Sequence, residues 1–131
     1  MLITPPTLPC RTKSILIVDD NDIMLDVLAK AFKIWGLKAF IADNGVDGWN
    51  LFTIEQIDIV LTDIRMPGMD GIELSYRIRD ASPDTVIALM TGGPIDHAKD
   101  LLGDGIVDHL FIKPLSLKYV CNTLATEAQT A

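Results

Sequence analysis

Basic residues are in short supply in this chain. Its 131 residues carry 11 Lys and Arg against 18 Asp and Glu, a net charge of −7. Binding to nucleic acid needs Lys and Arg clustered against phosphates, so direct nucleic-acid binding is not expected. Cysteine is scarcer still. Cys10 and Cys121 stand far apart and make neither a disulfide framework nor a thiolate metal site. A reducing cytoplasm is therefore the expected compartment. No apolar run approaches the ~18 residues that would span a bilayer. The N-terminal residues lack a basic stretch followed by an apolar one, so no secretory signal and no membrane association are predicted. Internal repeats and low-complexity tracts are absent as well.

What the chain does have is 49% hydrophobic and 22% charged residues, the balance of a folded domain. At this length it is one domain, able to bury roughly two-thirds of its unfolded surface. The apolar residues fall in four short runs, each ending in a residue suited to phosphate chemistry. Ser14 to Val18 leads into Asp19 and Asp20, and Ile57 to Thr62 leads into Asp63. Thr85 to Met90 leads into Thr91, and His109 to Ile112 leads into Lys113 and Pro114. Continuous apolar runs rich in β-branched residues predict strands buried on both faces, hence a parallel sheet covered by helices. In such a sheet the carboxyl ends of all strands meet at one edge, where open α/β sheets bind ligands.

The remaining pattern predicts an arm and one α/β domain. Residues 1–12, with Pro5, Pro6 and Pro9, read as a flexible extended arm; 13–128 form the domain and 129–131 a tail. Asn21 or Asp22 can cap a first helix with apolar positions at Met24, Val27, Leu28, Ala31, Phe32 and Trp35, closed by Gly36. Leu37 to Ala42 is a short strand, and Val46, Trp49, Leu51 and Phe52 mark a second helix. Arg65 to Gly71 is a loop by its Pro and two Gly. Helices follow at Ile72 to Arg79, with Glu73 and Arg77 as an i,i+4 pair, and more weakly at Pro94 to Leu102. The last starts at Ser116 and repeats Leu117, Val120, Cys121 and Leu124. The order is βα five times, and right-handed crossovers put helices on both faces.

The chemistry follows from the spacing. Two carboxylates within ~4 Å repel by roughly 4 kcal/mol at an effective dielectric near 20. Asp19, Asp20 and Asp63 gathered at one sheet edge therefore call for a cation. Oxygen ligands select a hard ion such as Mg²⁺, which keeps waters while taking one or two carboxylates and a phosphate oxygen. Such a site suits in-line transfer of a phosphoryl group onto a carboxylate. Asp63 stands alone at a strand end and is the better nucleophile; Asp19 and Asp20 are better placed to hold metal. Lys113 offers a point charge and Thr91 a hydroxyl. Taken singly, each residue is equally a helix cap, a turn or a solvated charge. Five such residues at four parallel strand ends are improbable as independent accidents, so together they predict a site.

Ile15-Leu16-Ile17-Val18-Asp19-Asp20-Asn21, Asp63-Ile64-Arg65-Met66-Pro67-Gly68-Met69-Asp70-Gly71, Met90-Thr91 and Lys113-Pro114 resemble the receiver domain of two-component response regulators. The resemblance runs over about residues 13 to 128. It implies a flavodoxin-like (βα)5 fold, a doubly wound parallel sheet of strand order 2-1-3-4-5. It implies Mg²⁺-dependent transfer of phosphate from the phosphohistidine of a histidine kinase, or from a phosphotransfer domain, to Asp63, with slow autodephosphorylation. Metal ligation would come from Asp20, Asp63 and the backbone carbonyl of Arg65, with Asp19 acting through water. Lys113 would contact the phosphate, the Lys113-Pro114 bond would be cis, and Thr91 would move to the phosphoryl group and shift the face around the fourth helix and fifth strand. The output would be an effector domain or downstream protein, and a phosphorylation-dependent homodimer is compatible with it.

Three positions depart from the family pattern. Leu110 stands where Tyr or Phe is usual, Gly92 where Ala follows the Thr, and Leu115 where Phe follows Lys-Pro. None touches phosphoryl chemistry, but Leu110 removes the aromatic whose rotation normally accompanies the Thr. Phe111, one residue on, should point to the opposite face. Rival chemistries fit less well. A haloacid-dehalogenase-type hydrolase needs an Asp where Arg65 stands, and the acids after the first strand would repel a flavin phosphate. A receiver that binds partners without being phosphorylated is the remaining alternative.

Overall fold

The computed structural model describes residues 12–130. The predicted arm, apart from Thr12, and Cys10 with it, lie outside these residues. Five parallel strands, β1 (Ser14–Val18), β2 (Lys38–Ala42), β3 (Ile59–Asp63), β4 (Val86–Thr91) and β5 (His109–Ile112), form one sheet of order β2-β1-β3-β4-β5. Five helices connect and follow them: α1 (Asp22–Ile34), α2 (Gly45–Ile54), α3 (Gly71–Ala81), α4 (Asp96–Gly103) and α5 (Leu117–Thr130). The predicted (βα)5 order and strand order are both present. Gln129 and Thr130, read from the sequence as tail, continue α5.

Strand alternation divides the core in two. Ile15 and Ile17 of β1 pack with Leu28 and Phe32 of α1 and with Cys121 and Leu124 of α5. Leu16 and Val18 face the other way, toward Leu74 and Ile78 of α3 and Ala98 and Leu101 of α4. All four β1 side chains are fully buried, which explains why the strand shows no polar alternation. Burial of each such side chain stabilises the fold by about 1.5–3 kcal/mol.

The helices sit rotated from their simplest sequence reading. The buried residues of α1 are Leu25, Leu28, Ala29 and Phe32, while Val27 and Trp35 are exposed. In α5, Val120, Cys121 and Leu124 are buried as expected, but Leu117 lies at the surface. Burial among apolar atoms also raises the Cys121 thiol pKa, so it stays an inert core residue. The Glu73–Arg77 pair forms at 3.4 Å. Among the described residues, no helix is long and apolar enough to cross a membrane.

Candidate functional site

Strand register brings the predicted residues together. Val18 pairs with Thr62 across β1 and β3, so Asp19 and Asp63 emerge side by side. Asp63 pairs with Met90 of β4, and Thr91 with Ile112 of β5, which puts Thr91 and Lys113 just beyond. The Lys113 backbone N–H donates to the Thr91 carbonyl at 2.7 Å, fixing those two strand ends against each other.

One carboxylate oxygen from each of Asp19, Asp20 and Asp63 lies within 4.8 Å of the others. Asp19 is buried, Asp63 half-buried and Asp20 exposed. The Asn21 backbone N–H donates to Asp19 Oδ1 at 3.0 Å, and the Asn21 side chain in turn caps α1 by accepting from Met24 N–H at 3.0 Å. Asp63 Oδ1 accepts from the Ile64 N–H at 2.9 Å. Lys113 Nζ stands 3.5 Å from Oδ2 of both Asp19 and Asp63. The cluster thus holds three acids and one ammonium, which reaches Asp19 and Asp63. Burial, and then the negative charge of Asp19, raise the Asp63 pKa above its ordinary value; Lys113 and the Ile64 N–H only partly offset this. A cluster of oxygen donors with surplus negative charge fits a hard divalent cation such as Mg²⁺.

The loop after Asp63 is held from several sides. Met66 and Met69 are buried against the α2–α4 side of the core. Asp70 caps α3 by accepting from Glu73 N–H at 2.9 Å, and the Gly71 N–H donates to the Ile64 carbonyl at 2.8 Å. Gly71 is required by proximity, because a Cβ there would lie 2.0 Å from the Asp63 carbonyl oxygen. Its role is invisible in the sequence beyond a Gly at the end of a loop.

Thr91 is buried, and its Oγ1 accepts the Gly93 N–H at 3.1 Å. The Lys113-Pro114 peptide is cis. Leu110 packs partly buried on the α2–α4 face, whereas Phe111 is buried on the α1–α5 face and meets Tyr119 edge-on, with ring centroids 5.8 Å apart. Strand alternation therefore separates the two side chains as expected. The Arg65 side chain was given no role by the sequence, yet it lies over Gly93.

A family model, the response regulator receiver domain, matches residues 15–125. The sensor histidine kinase RcsC of Salmonella typhimurium is 34% identical over 115 residues, covering 88% of this chain and 12% of that protein. The regulatory protein AtoC of Escherichia coli is 39% identical over 104 residues, covering 79% of this chain and 22% of that protein. The chain thus spans a small part of the curated relatives it matches. A CheY-like receiver domain from Methanospirillum hungatei superposes with a TM-score of 0.86 at 23% identity, covering 92% of this chain and 96% of that one. The beryllofluoride-activated DrrB receiver domain superposes with a TM-score of 0.81 at 19% identity, covering 91% and 99%.

Proposed function

The chain belongs to the response regulator receiver family, and from that premise we propose that Asp63 is its phosphoacceptor, served by Lys113, Thr91 and a Mg²⁺ ion. The observation that carries this reading is the convergence of Asp19, Asp20 and Asp63, with the Lys113 ammonium 3.5 Å from both Asp19 and Asp63. Asp20, Asp63 and the Arg65 carbonyl would hold the metal, with Asp19 acting through water. When bound, Mg²⁺ offsets the charge of the carboxylates and of the incoming phosphoryl oxygens.

The chain's own groups do the rest. The Ile64 N–H holds Oδ1 of Asp63 and leaves Oδ2 turned toward Lys113. A carboxylate oxygen attacks phosphorus in line; the phosphorus–nitrogen bond to the donor imidazole breaks, and that nitrogen keeps the electron pair. Lys113 neutralises charge on the transferred group as a point cation. Thr91 already accepts a hydrogen bond from Gly93, so its own hydroxyl proton remains available to donate to a phosphoryl oxygen. Slow loss of the phosphoryl group to water resets the domain.

Donors would be a histidine kinase or a phosphotransfer domain in the cytoplasm. The output would pass to an effector domain or separate protein, with a phosphorylation-dependent homodimer as one form of readout. The test is incubation with acetyl phosphate and Mg²⁺, read by intact mass. One phosphate should add to the chain and none to Asp63→Asn. Undiminished labelling of that variant would overturn the assignment, and an unlabelled wild-type chain would favour a receiver that only binds partners.

A further inference from the structure

Thr62 carries the one hydroxyl of β3, in a strand otherwise buried through Ile59, Val60 and Leu61. It is fully buried, in register with Val18 of β1 and Leu89 of β4. Val, equally β-branched and of much the same shape, would fill that space. A buried hydroxyl, by contrast, costs free energy unless it is bonded. The Thr62 hydroxyl donates to the backbone carbonyl of Asp63 at 2.9 Å. That carbonyl belongs to the peptide joining Asp63 to Ile64, and the N–H at its other end is the one that holds Asp63 Oδ1.

A peptide unit is planar, so its two ends cannot turn independently. The Ile64 N–H has two acceptors, Asp63 Oδ1 at 2.9 Å and the Met90 carbonyl at 3.2 Å. The tilt of the plane sets how the proton is shared between them. Gly71 presses on the same plane, where a Cβ would stand 2.0 Å from the Asp63 oxygen and 3.0 Å from Ile64 Cα. Gly71 thus limits the plane by contact, while Thr62 fixes its oxygen end by a directed bond. A hydrogen bond accepted at the carbonyl also polarises the peptide, which makes its N–H the stronger donor.

We propose that Thr62 is a positioning residue for phosphoryl transfer: its hydroxyl holds the Asp63–Ile64 peptide at the tilt that keeps Oδ1 of Asp63 engaged and Oδ2 turned toward Lys113. The inference rests on Asp63 being the phosphoacceptor. Thr62 acts through the backbone of the nucleophile rather than on the phosphoryl group. Without its hydroxyl the plane is free to tip its N–H toward the Met90 carbonyl, and the carboxylate loses the bond that orients it.

The test follows phosphate addition from acetyl phosphate at saturating Mg²⁺, by intact mass against time, in the full chain and three variants. Thr62→Val and Thr62→Ala lack the hydroxyl and should label about three- to tenfold more slowly, the loss of one neutral hydrogen bond. Thr62→Ser keeps it and should label at close to the wild-type rate. Val fills the space and Ala empties it, so a slow rate common to both tracks the hydroxyl and not the volume. Should one of the two fail to fold, the other decides against Ser. By NMR, the Ile64 amide proton should move upfield in the Val and Ala variants and stay in place in the Ser variant, a signature that a general loss of packing would not produce. Wild-type rates in the Val and Ala variants, an Ile64 amide unmoved in them, or a Ser variant as slow as Ala would overturn this inference and leave the phosphoacceptor standing. A wild-type chain that takes no phosphate, or full labelling of Asp63→Asn, would overturn both.

Discussion

Arg79 and Asp108 meet at 2.8 Å at the end of the sheet opposite the acidic site. Arg79 also donates to the carbonyls of Pro83, Thr85 and Ile106, and Asp108 Oδ2 accepts the Ile87 N–H at 2.9 Å. A single guanidinium at the end of α3 thus gathers the turns that lead into β4 and β5. Both strands that carry Thr91 and Lys113 are anchored at their starts by this group.

Arg79→Ala should therefore destabilise the fold by about 2–3 kcal/mol, because it leaves three carbonyls and a carboxylate short of a partly buried donor. Arg79→Lys should recover little, since one ammonium cannot reproduce the fork. Urea unfolding measures both. A change below about 0.5 kcal/mol, the range of ordinary surface substitutions, would show the anchor to be idle.

Asp63 makes metal-free stability depend on pH in an unusual direction for an acid. Its pKa is raised in the folded chain, so the folded state binds the proton more tightly than the unfolded state does. Its contribution therefore declines as pH rises from the ordinary value of 3.8 through the raised folded value, and it is destabilising above that. In EDTA, Asp63→Asn should melt higher than wild type at pH 7, and the gap should narrow toward pH 4. A gap that is constant with pH, or reversed, would contradict the burial and Asp19 charge invoked here.

Asp20 contributes a charge to the same cluster from an exposed position. Asp20→Asn should weaken Mg²⁺ affinity while raising the melting temperature without metal by a small amount. Mg²⁺ should stabilise wild type by mass action and the variant less. Thermal melts with and without Mg²⁺ decide the matter, and identical curves for the two proteins in both conditions would remove Asp20 from the metal site.

Leu110 should change little on activation. A two-state switch taken from 1:99 to 99:1 needs ~5.5 kcal/mol of differential stabilisation. At ~25 cal/mol per Å², a Leu that exchanges rotamers supplies less of that than an aromatic ring. Partly buried on the α2–α4 face, it has little new surface to bury. Methyl-labelled NMR with beryllofluoride should show Leu110 keeping its rotamer while the Gly92 and Gly93 amides move. A rotamer change at Leu110 with those amides unmoved would refute this.

The strands were legible because a parallel sheet under two helical layers leaves β1, β3 and β4 almost wholly apolar, and the carboxylates at the ends of β1 and β3 broke that pattern visibly. Helix rotation was not. Met24, Val27 and Ala31 keep the same three-and-four spacing as Leu25, Leu28 and Phe32, and only the sheet beneath decides which row is covered. The strand-end residues of the site could be read from sequence because parallel strands share an edge. The lie of Arg65 over Gly93 and the reach of Arg79 to Ile106 and Asp108 before β5 could not, since both join residues that the chain brings together only through tertiary packing.

The parallel order of the sheet also sets a schedule for the chain as it is synthesised. Asp19, Asp20 and Asp63 precede Lys113, and β4 stands between β3 and β5 in both sequence and space. A ribosome-bound chain that has released only the first three strands holds every carboxylate of the site and none of its ammonium. With Lys113 in the role proposed for it, chemical competence arrives late, with β5. Labelling by a small phosphodonor should then follow completion of the domain, and efficient labelling of a fragment ending before Lys113 would contradict the role proposed for that residue.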